Sequence, residues 1–229
     1  MKLITAGIGP GSPELITLAA LNEAKEADFI LVPRSHDNKK GIAEEVINQH
    51  FQNKKIIHIF FPMIKDSKKR NEIISEQLIN LKSELKNAKK IFFPVIGDST
   101  LYSTGAYLIE EIKKIFPEIE VDFIPGISAH SLACACAKKF MAMSEEIFSI
   151  IPGTADGEKI INILKYSDSA AIYKTTALKD KNILDFIKNT FKKIIRVDFA
   201  GIENKEKIFE GIEALENINE YLSIILLWR

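Results

Sequence analysis

Three turns that contain glycine carry the residues of this sequence best suited to hold a ligand. The first, GIGPGSPELITL at residues 7–18, follows an apolar segment and leads into a helical one. The second, GDSTLYST at residues 97–104, and the third, IPGIS at residues 124–128, occupy similar positions further along the chain. Turns of this kind expose backbone N–H groups at a helix start and commonly bind phosphate. Nucleotide binding is therefore the first chemistry to compare with the spacing.

The first turn does not have the spacing of a dinucleotide site. The fingerprint requires G-x-G-x-x-G, whereas Gly7 and Gly9 are followed by Gly11. It also requires an acidic residue at the end of the second strand, where this chain has Pro33 and Arg34. No Gly-Lys-Ser/Thr follows, so a P-loop is also disfavoured. The turn either only separates a strand from a helix or lines a cleft with backbone N–H groups, and by itself it does not decide between the two.

The second and third turns follow predicted strands and precede predicted helices, which is where open α/β sheets bind ligands. Asp98 or Ser99 either caps the next helix or faces a ligand, and the sequence leaves both readings open. In the first turn, Ser12 is predicted to cap a helix that begins at Pro13. The third turn opens a helix at Ser128. Three such turns predict a lined cleft.

Strand-like and helix-like segments alternate along the chain, which predicts an α/β fold with mostly parallel strands. The predicted strands are residues 2–6, 29–32, 55–60, 90–96, 120–124, 146–151, 170–173, 194–199 and 221–228. The predicted helices are residues 13–25, 42–50, 67–87, 103–115, 128–138, 157–165 and 179–190. A short strand at residues 207–211 is expected to pair with the last strand. The simplest architecture is two α/β domains, residues 1–124 and 125–229, with a ligand cleft between them.

The composition predicts a globular protein that binds neither membrane nor nucleic acid. Hydrophobic residues make up 46% and charged residues 27% of the chain, enough for a sizeable core. The 31 basic residues balance the 31 acidic ones, and lysine alternates with glutamate in stretches such as residues 83–90, so no basic stripe is expected. No apolar run approaches the length of about 18 residues that a membrane span needs. Gly and Pro interrupt the apolar start, so no signal peptide is expected.

The cysteines and histidines do not predict a metal site. Cys134 and Cys136 are two residues apart in a predicted helix and point to different sides, so we expect two packed thiols in a reducing, cytoplasmic protein. His130, two residues beyond Ser128, faces either the cleft or an ordinary core or surface position. No spacing typical of a metal site occurs among the four histidines, His36, His50, His58 and His130.

Four motifs, GIGPGSPELITL, ILVPRS, GDSTLYST and IPGIS, occur in this order, and together they resemble the tetrapyrrole (corrin/porphyrin) methyltransferases. Within that family the chain is most similar to the precorrin-2 or cobalt-factor II C-20-methyltransferases of cobalamin biosynthesis, on residues 33–35 and 101–104. The resemblance covers essentially the whole chain. It implies a homodimeric C-methyltransferase with S-adenosylmethionine folded between two domains and the tetrapyrrole in a trough beside it.

The resemblance also implies the binding residues. Pro10 would border the cleft, and Asp98 would contact the cofactor through its backbone and its side chain. The other implied cofactor contacts are Ile96, Gly97, Leu101, Tyr102, Ser128, Ala129, Lys174 and Gly201. The implied substrate-binding residues are Arg34, Ser35 and Thr104.

The resemblance leaves no evident catalytic acid or base. Uroporphyrinogen methylases of the family have an aspartate and an arginine where this chain has Pro33 and Thr104, which argues against a uroporphyrinogen substrate. No catalytic residue is predicted, because in-line methyl transfer from a sulfonium depends chiefly on proximity and orientation. The substrate carboxylates require basic partners, for which Arg34 is the main candidate, with Lys39 and Lys40 in the following loop.

Other functions stay open at this point. They are a nicotinamide-dependent oxidoreductase, a methylase of the same fold that acts on diphthamide, ribosomal RNA or another tetrapyrrole position, and a non-catalytic tetrapyrrole carrier. The sequence does not separate a metal-free substrate from a cobalt-containing one. In the cobalt case the metal arrives with the substrate.

Overall fold

The computed structural model describes residues 1–35, 41–64 and 66–229. Lys39 and Lys40, named above as candidates for the substrate, lie outside the described residues, as does His36. The chain divides into two compact units, Met1–Ser128 and Ala129–Arg229. The division falls slightly beyond residue 124, because the turn after that residue is bound to the first unit through a Gly126 N–H that donates to Asp98 Oδ2 at 2.8 Å.

The first unit is a five-stranded sheet in which every ladder is parallel, with the order β3-β2-β4-β1-β5. Its strands are β1 (Lys2–Gly7), β2 (Phe29–Arg34), β3 (Ile56–Phe60), β4 (Lys90–Val95) and β5 (Glu120–Ile124). Its helices are α1 (Leu18–Glu26), α2 (Ile42–His50), α3 (Ser67–Asn80), α4 (Lys82–Asn87) and α5 (Gly105–Ile115). Because all strands run the same way, the turns after β1, β4 and β5 share one edge of the sheet.

This sheet is covered on both faces, as continuous apolar strands predict. Side chains on one face of the sheet, such as Leu3 and Phe93, belong to a core cluster that includes residues of α3, α4 and α5. Side chains on the opposite face, such as Ile4 and Phe92, belong to a second core cluster that includes residues of α1 and α2. The strands are therefore held rigidly on both sides, and so are the turns that follow them.

The second unit contains a mixed sheet with the order β6-β7-β10-β8-β9. Its strands are β6 (Phe148–Pro152), β7 (Ser169–Tyr173), β8 (Lys193–Asp198), β9 (Lys207–Glu210) and β10 (Ser223–Trp228), and its helices are α6 (Ala129–Cys136), α7 (Gly157–Lys165) and α8 (Lys181–Thr190). Only β6 and β7 are parallel; β10 is antiparallel to β7 and β8, and β9 is antiparallel to β8. The mostly parallel prediction is wrong here, because the connections into β9 and β10 contain no α-helix to cross the sheet.

Four local predictions are also corrected by the structure. The short strand β9 pairs with β8 and not with the last strand. The predicted helix 13–25 is a 3-10 turn at Pro13–Leu15 followed by α1, because Ile16 is extended and buries its side chain. The cap of α1 is Thr17, whose hydroxyl accepts from Ala20 N–H at 3.1 Å, whereas Ser12 makes no side-chain cap. The predicted helix 67–87 is interrupted at Leu81.

The ends of β1, β4 and β5 are packed backbone against backbone. A Cβ added to Gly7 would lie 2.6 Å from Gly97 O and 2.6 Å from Gly126 N. A Cβ added to Gly126 would lie 2.3 Å from Gly97 O. These atoms belong to the main chain, which cannot move aside as the end of a flexible side chain can. Glycine is therefore required at both positions for the three turns to meet.

We expect Gly7→Ala to lower the free energy of unfolding of the first unit by about 2–3 kcal/mol. Overpacking typically costs about 1–3 kcal/mol, and this site cannot relax because its neighbours are main-chain atoms. Urea denaturation followed by circular dichroism measures this loss. The matched control is Gly41→Ala, since a Cβ there would meet nothing closer than Pro33 O at 3.8 Å. The control is expected to lose less than about 1 kcal/mol. Equal losses in the two variants would contradict the packing argument.

Candidate functional site

Asp98 binds the second turn to the third. Its Oδ2 accepts from Gly126 N–H at 2.8 Å, and its Oδ1 accepts from Thr100 N–H at 2.8 Å and from the Thr100 hydroxyl. Ser99 Oγ donates to Ile124 O at 2.8 Å. Helix α5 begins only at Gly105, so neither Asp98 nor Ser99 caps it. The capping interpretation is therefore wrong, and both side chains instead hold the turn after β4 against the turn after β5.

The first turn joins the same assembly through its backbone. Gly97 N–H donates to Gly9 O at 2.8 Å, and the two glycines form an isolated β-bridge. Pro10 follows directly and is buried. Ile96 packs against the apolar cluster shared with α1 and α2. Pro10, Ile96, Gly97 and Asp98, four of the implied cofactor contacts, thus lie close together at one sheet edge.

Several turn residues have backbone conformations that are costly for their type. Tyr102, Lys174 and Phe199 have φ values of 51°, 52° and 52°, in the left-handed region that side chains with a Cβ rarely adopt. Each lies in the turn after a strand, namely β4, β7 and β8. Such strain concentrates at functional sites, where the surrounding structure imposes it. Phe199 could not be predicted from the sequence, since a phenylalanine gives no signal for a left-handed turn.

Arg34, at the end of β2, is held by a buried carboxylate. Its Nε donates to Glu44 Oε2 at 2.9 Å and its Nη2 donates to Glu44 Oε1 at 2.8 Å. His58 Nε2 on β3 lies 3.3 Å from the same Oε1. Glu44 is only 4% exposed. Burial alone would raise the pKa of Glu44, but Arg34 and His58 outweigh it and hold that pKa below its ordinary value.

The double hydrogen bond fixes the plane of the Arg34 guanidinium at the carboxyl end of β2. Strand β2 is the neighbour of β4, so Thr104, in the turn after β4, belongs to the same sheet edge. Thr104 occupies the cap position of α5 without a side-chain cap hydrogen bond, and Ser35 is exposed. Glu44 was not predicted, although its position among the apolar residues of α2 was a signal for a buried charge.

In the second unit, a side-chain contact joins the start of α6 to the end of β7. His130 Nδ1 lies 2.7 Å from Tyr173 Oη, and the His130 backbone N–H donates to that oxygen at 3.2 Å. His130 directly follows Ala129, and Tyr173 directly precedes Lys174. Two implied cofactor contacts are therefore adjacent to one fixed His–Tyr pair, which no pattern in the sequence predicted.

The other end of α6 is joined to the turn that contains Gly201. Glu206 Oε2 accepts from Gly201 N–H at 2.7 Å and from Cys136 Sγ at 3.1 Å. Burial raises the pKa of the Cys136 thiol to about 11, and Glu206 adds to the shift. Cys134 is also shifted to a pKa of about 11 by burial. Helix α6 thus connects the turn of Lys174 with the turn of Gly201.

Two features are absent from the part of the chain that the structure describes. None of its helices combines the length and the apolar character that crossing a bilayer requires. Residues 1–35, 41–64 and 66–229 contain no group of three or more His, Cys, Asp or Glu side chains arranged to bind a metal.

Comparison with known proteins identifies the family. The family described as Tetrapyrrole (Corrin/Porphyrin) Methylases matches residues 2–214. A probable cobalt-precorrin-2 C(20)-methyltransferase of Methanocaldococcus jannaschii is 32% identical over 231 residues, 100% of this chain and 96% of that protein. The cobalt-precorrin-2 C(20)-methyltransferase of Salmonella typhimurium is 26% identical over 174 residues, 76% of this chain and 72% of that protein.

A solved structure shows the same fold at lower identity. Uroporphyrin-III C-methyl transferase from Thermus thermophilus, complexed with S-adenosylhomocysteine, superposes with a TM-score of 0.69 at 15% identity, over 100% of this chain and 97% of that one. The fold therefore persists where most of the sequence has changed. With a family match over residues 2–214 and a relative that aligns along the whole length, this chain belongs to the tetrapyrrole (corrin/porphyrin) methylases.

Proposed function

We propose that the protein is an S-adenosylmethionine-dependent methyltransferase that methylates C-20 of precorrin-2 or cobalt-factor II in cobalamin biosynthesis. The observation that carries this proposal is the 32% identity, along the whole chain, to the relative named as a C(20)-methyltransferase. The site supports it, because rigid turns lined by main chain suit a reaction that requires positioning more than acid or base strength.

The residues present fit a sulfonium cofactor. At Gly7, Gly97 and Gly126 the three turns meet main chain to main chain, and glycine adds no side chain there. Carbonyl oxygens and the Asp98 carboxylate are the groups that would stabilise a positive charge. The cofactor supplies the methyl group when it is bound. The proposed contacts are Pro10, Ile96, Gly97, Asp98, Leu101, Tyr102, Ser128, Ala129, Lys174 and Gly201.

The residues of this chain contribute orientation. Asp98 and Ser99 fix the turns in advance of binding, so little ordering of the protein is required when the ligands bind. Proximity and alignment of the reacting atoms can lower a barrier by about 7–11 kcal/mol at most. Arg34 contributes to substrate binding through a guanidinium whose plane is set by Glu44, with Ser35 and Thr104 at the same edge. This division of roles requires no nucleophilic side chain.

The assembly and compartment are proposed from the family resemblance. We propose a homodimer, supported by apolar side chains at the surface, including Phe123 on edge strand β5 at 53% exposure and Phe140 at 78%. Sedimentation velocity should then give twice the chain mass of 25.8 kDa. We also propose a cytoplasmic protein, since Cys134 and Cys136 are free thiols and no disulfide joins them.

Methyl transfer itself tests the function. The purified protein is incubated with methyl-labelled S-adenosylmethionine and either precorrin-2 or cobalt-factor II, and the ring position of the label is determined by NMR. Label at C-20 is the expected result. Label at another ring carbon would assign the protein to a different tetrapyrrole methylase, and binding of NAD without binding of S-adenosylmethionine would restore the oxidoreductase alternative.

We expect Asp98→Ala to weaken S-adenosylmethionine binding about tenfold or more. Loss of the carboxylate releases Gly126 N–H and Thr100 N–H, and a hydrogen bond to a charged group contributes about 1.5–3 kcal/mol. Isothermal titration calorimetry measures the dissociation constant.

The matched control is Asp28→Ala. Asp28 Oδ2 accepts from the backbone N–H groups of Lys89 and Lys90, at 2.7 and 2.8 Å. These groups lie where β2 and β4 begin, at the end of the sheet away from the proposed site. This variant is expected to lose comparable folding stability and to keep its cofactor affinity. Unchanged affinity in Asp98→Ala would remove Asp98 from the cofactor site.

We expect Arg34→Lys to raise the KM for the tetrapyrrole about tenfold, because lysine keeps the charge but cannot form the fixed double hydrogen bond to Glu44. Its kcat and its cofactor affinity should change little. The control is Arg70→Lys, since Arg70 stacks on Tyr107 at 3.8 Å and has no place in the proposed site. A normal KM in Arg34→Lys would show that charge alone, and not the orientation of the guanidinium, is required.

A further inference from the structure

Exposed apolar side chains of the first unit concentrate at the edge where its strands end. Among the residues that the structure describes in this unit, six large apolar side chains are exposed, and four of them lie in or directly after the turns that follow β1, β3 and β4. These four are Leu18, Met63, Ile64 and Tyr102. Single exposed apolar side chains are ordinary, whereas several gathered in one place mark a binding surface.

Met63 and Ile64, the apolar pair, lie beside Arg34. Strand β3 pairs with β2 so that Phe60 is opposite Arg34, and Phe61 N–H donates to Arg34 O at 2.7 Å. The apolar pair follows shortly after, with exposures of 61% for Met63 and 37% for Ile64. Arg34 is the proposed partner of a substrate carboxylate. The apolar pair is therefore next to that partner, within the first unit alone.

The base of the loop that carries the apolar pair is fixed. Gln77 on α3 donates from Nε2 to Phe60 O at 3.0 Å, and its Oε1 accepts from Phe60 N–H at 2.7 Å. Phe61 and Pro62 are buried, and Phe61 belongs to the core on one face of the sheet. The apolar pair is thus held outside the core on a rigid support, so little ordering is required when a ligand binds to it.

Basic side chains follow the apolar pair. The first turn of α3 contains Lys68 and Lys69, both exposed, and no acidic residue. The cap residue Asp66 accepts from Lys69 N–H at 3.0 Å. Cations are unfavourable at the start of a helix, because the helix dipole places partial positive charge there. Helix stability therefore does not explain the two lysines, whereas a negatively charged ligand on the apolar pair does.

We propose that Met63 and Ile64 contact the apolar face of the tetrapyrrole, next to the carboxylate that Arg34 binds, and that they help to select this class of substrate. The inference rests on the proposed function and adds to its site two residues that the motifs do not include. A tetrapyrrole is a broad ring with apolar faces and carboxylates around its rim. An apolar pair beside an arginine and followed by two lysines matches that combination.

The first test compares Met63→Ser and Ile64→Ser with wild type. Each variant should raise the KM for the tetrapyrrole about fivefold to tenfold, the factor expected when part of such a side chain no longer leaves water on binding. Its kcat and its affinity for S-adenosylmethionine should change little. The matched control is Ile79→Ser, since Ile79 is 55% exposed near the other end of α3, and this variant should keep the wild-type KM. Thermal unfolding should show that all three variants fold.

A second readout does not depend on turnover. Isothermal titration calorimetry with precorrin-2 or cobalt-factor II, without a methyl donor, measures the dissociation constant. Met63→Ser should lose the same affinity at low and at high ionic strength, because salt does not screen an apolar contact. A variant with both Lys68→Gln and Lys69→Gln should lose affinity mainly at low ionic strength, because salt screens exposed charges. A loss in Met63→Ser that disappears at high ionic strength would contradict the apolar contact.

The outcomes separate this inference from the function on which it rests. If the wild type neither binds nor methylates a tetrapyrrole, both fail. If the wild type methylates C-20 and both serine variants keep its KM, only the apolar contact fails. If the label arrives at another ring carbon and the serine variants still raise KM, the proposed ring position fails and the contact stands. Loss of the dimer in the serine variants, with unchanged tetrapyrrole affinity, would assign Met63 and Ile64 to a subunit interface and overturn the inference.

Discussion

The first unit depends on direct contact between main chains at the ends of β1, β4 and β5. Gly7, Gly97 and Gly126 approach so closely that a Cβ added to Gly7 or Gly126 would lie 2.3–2.7 Å from backbone atoms of the neighbouring turns. The Asp98 carboxylate closes the same contact by accepting from Gly126 N–H. A site built this way gains precision because backbone has few ways to rearrange. The same contact brings together three motifs that are far apart in the sequence.

The two units fix their turns by different means. The first unit uses main-chain packing and a short carboxylate, whereas the second uses side chains on one helix. Helix α6 contacts Tyr173 through its first residues and Glu206 through its last. One rigid helix therefore fixes the positions of the loop that contains Lys174 and the loop that contains Gly201. Side-chain contacts of this kind can be altered one at a time, which main-chain packing does not allow. The second unit is therefore the easier of the two to modify while the fold is kept.

Strand and helix positions in the first unit followed from the sequence because buried parallel strands are continuous apolar runs. The second sheet was harder, since the antiparallel return of β10 depends on connections that carry no periodic signal. Thr17 was missed as a cap because Ser12 and Pro13 present the stronger local pattern, and Ile16 takes an extended conformation only to fill the core. Glu44 and Tyr173 were missed because their partners are distant in sequence, and spacing along one chain does not report such pairs.

The position of β10 has a consequence for how the protein is made. This strand is the middle one of the second sheet, yet it follows the other four strands in the chain. While the ribosome is still synthesising it, β7 and β8 have no partner along the edges that β10 will occupy, and unpaired strand edges recruit other chains. The first sheet has the same kind of interval, since its middle strand β4 pairs with β1 and β2 and is made after both of them. Nascent chains of this protein should therefore need chaperone protection in two intervals, before β4 emerges and again before β10 emerges.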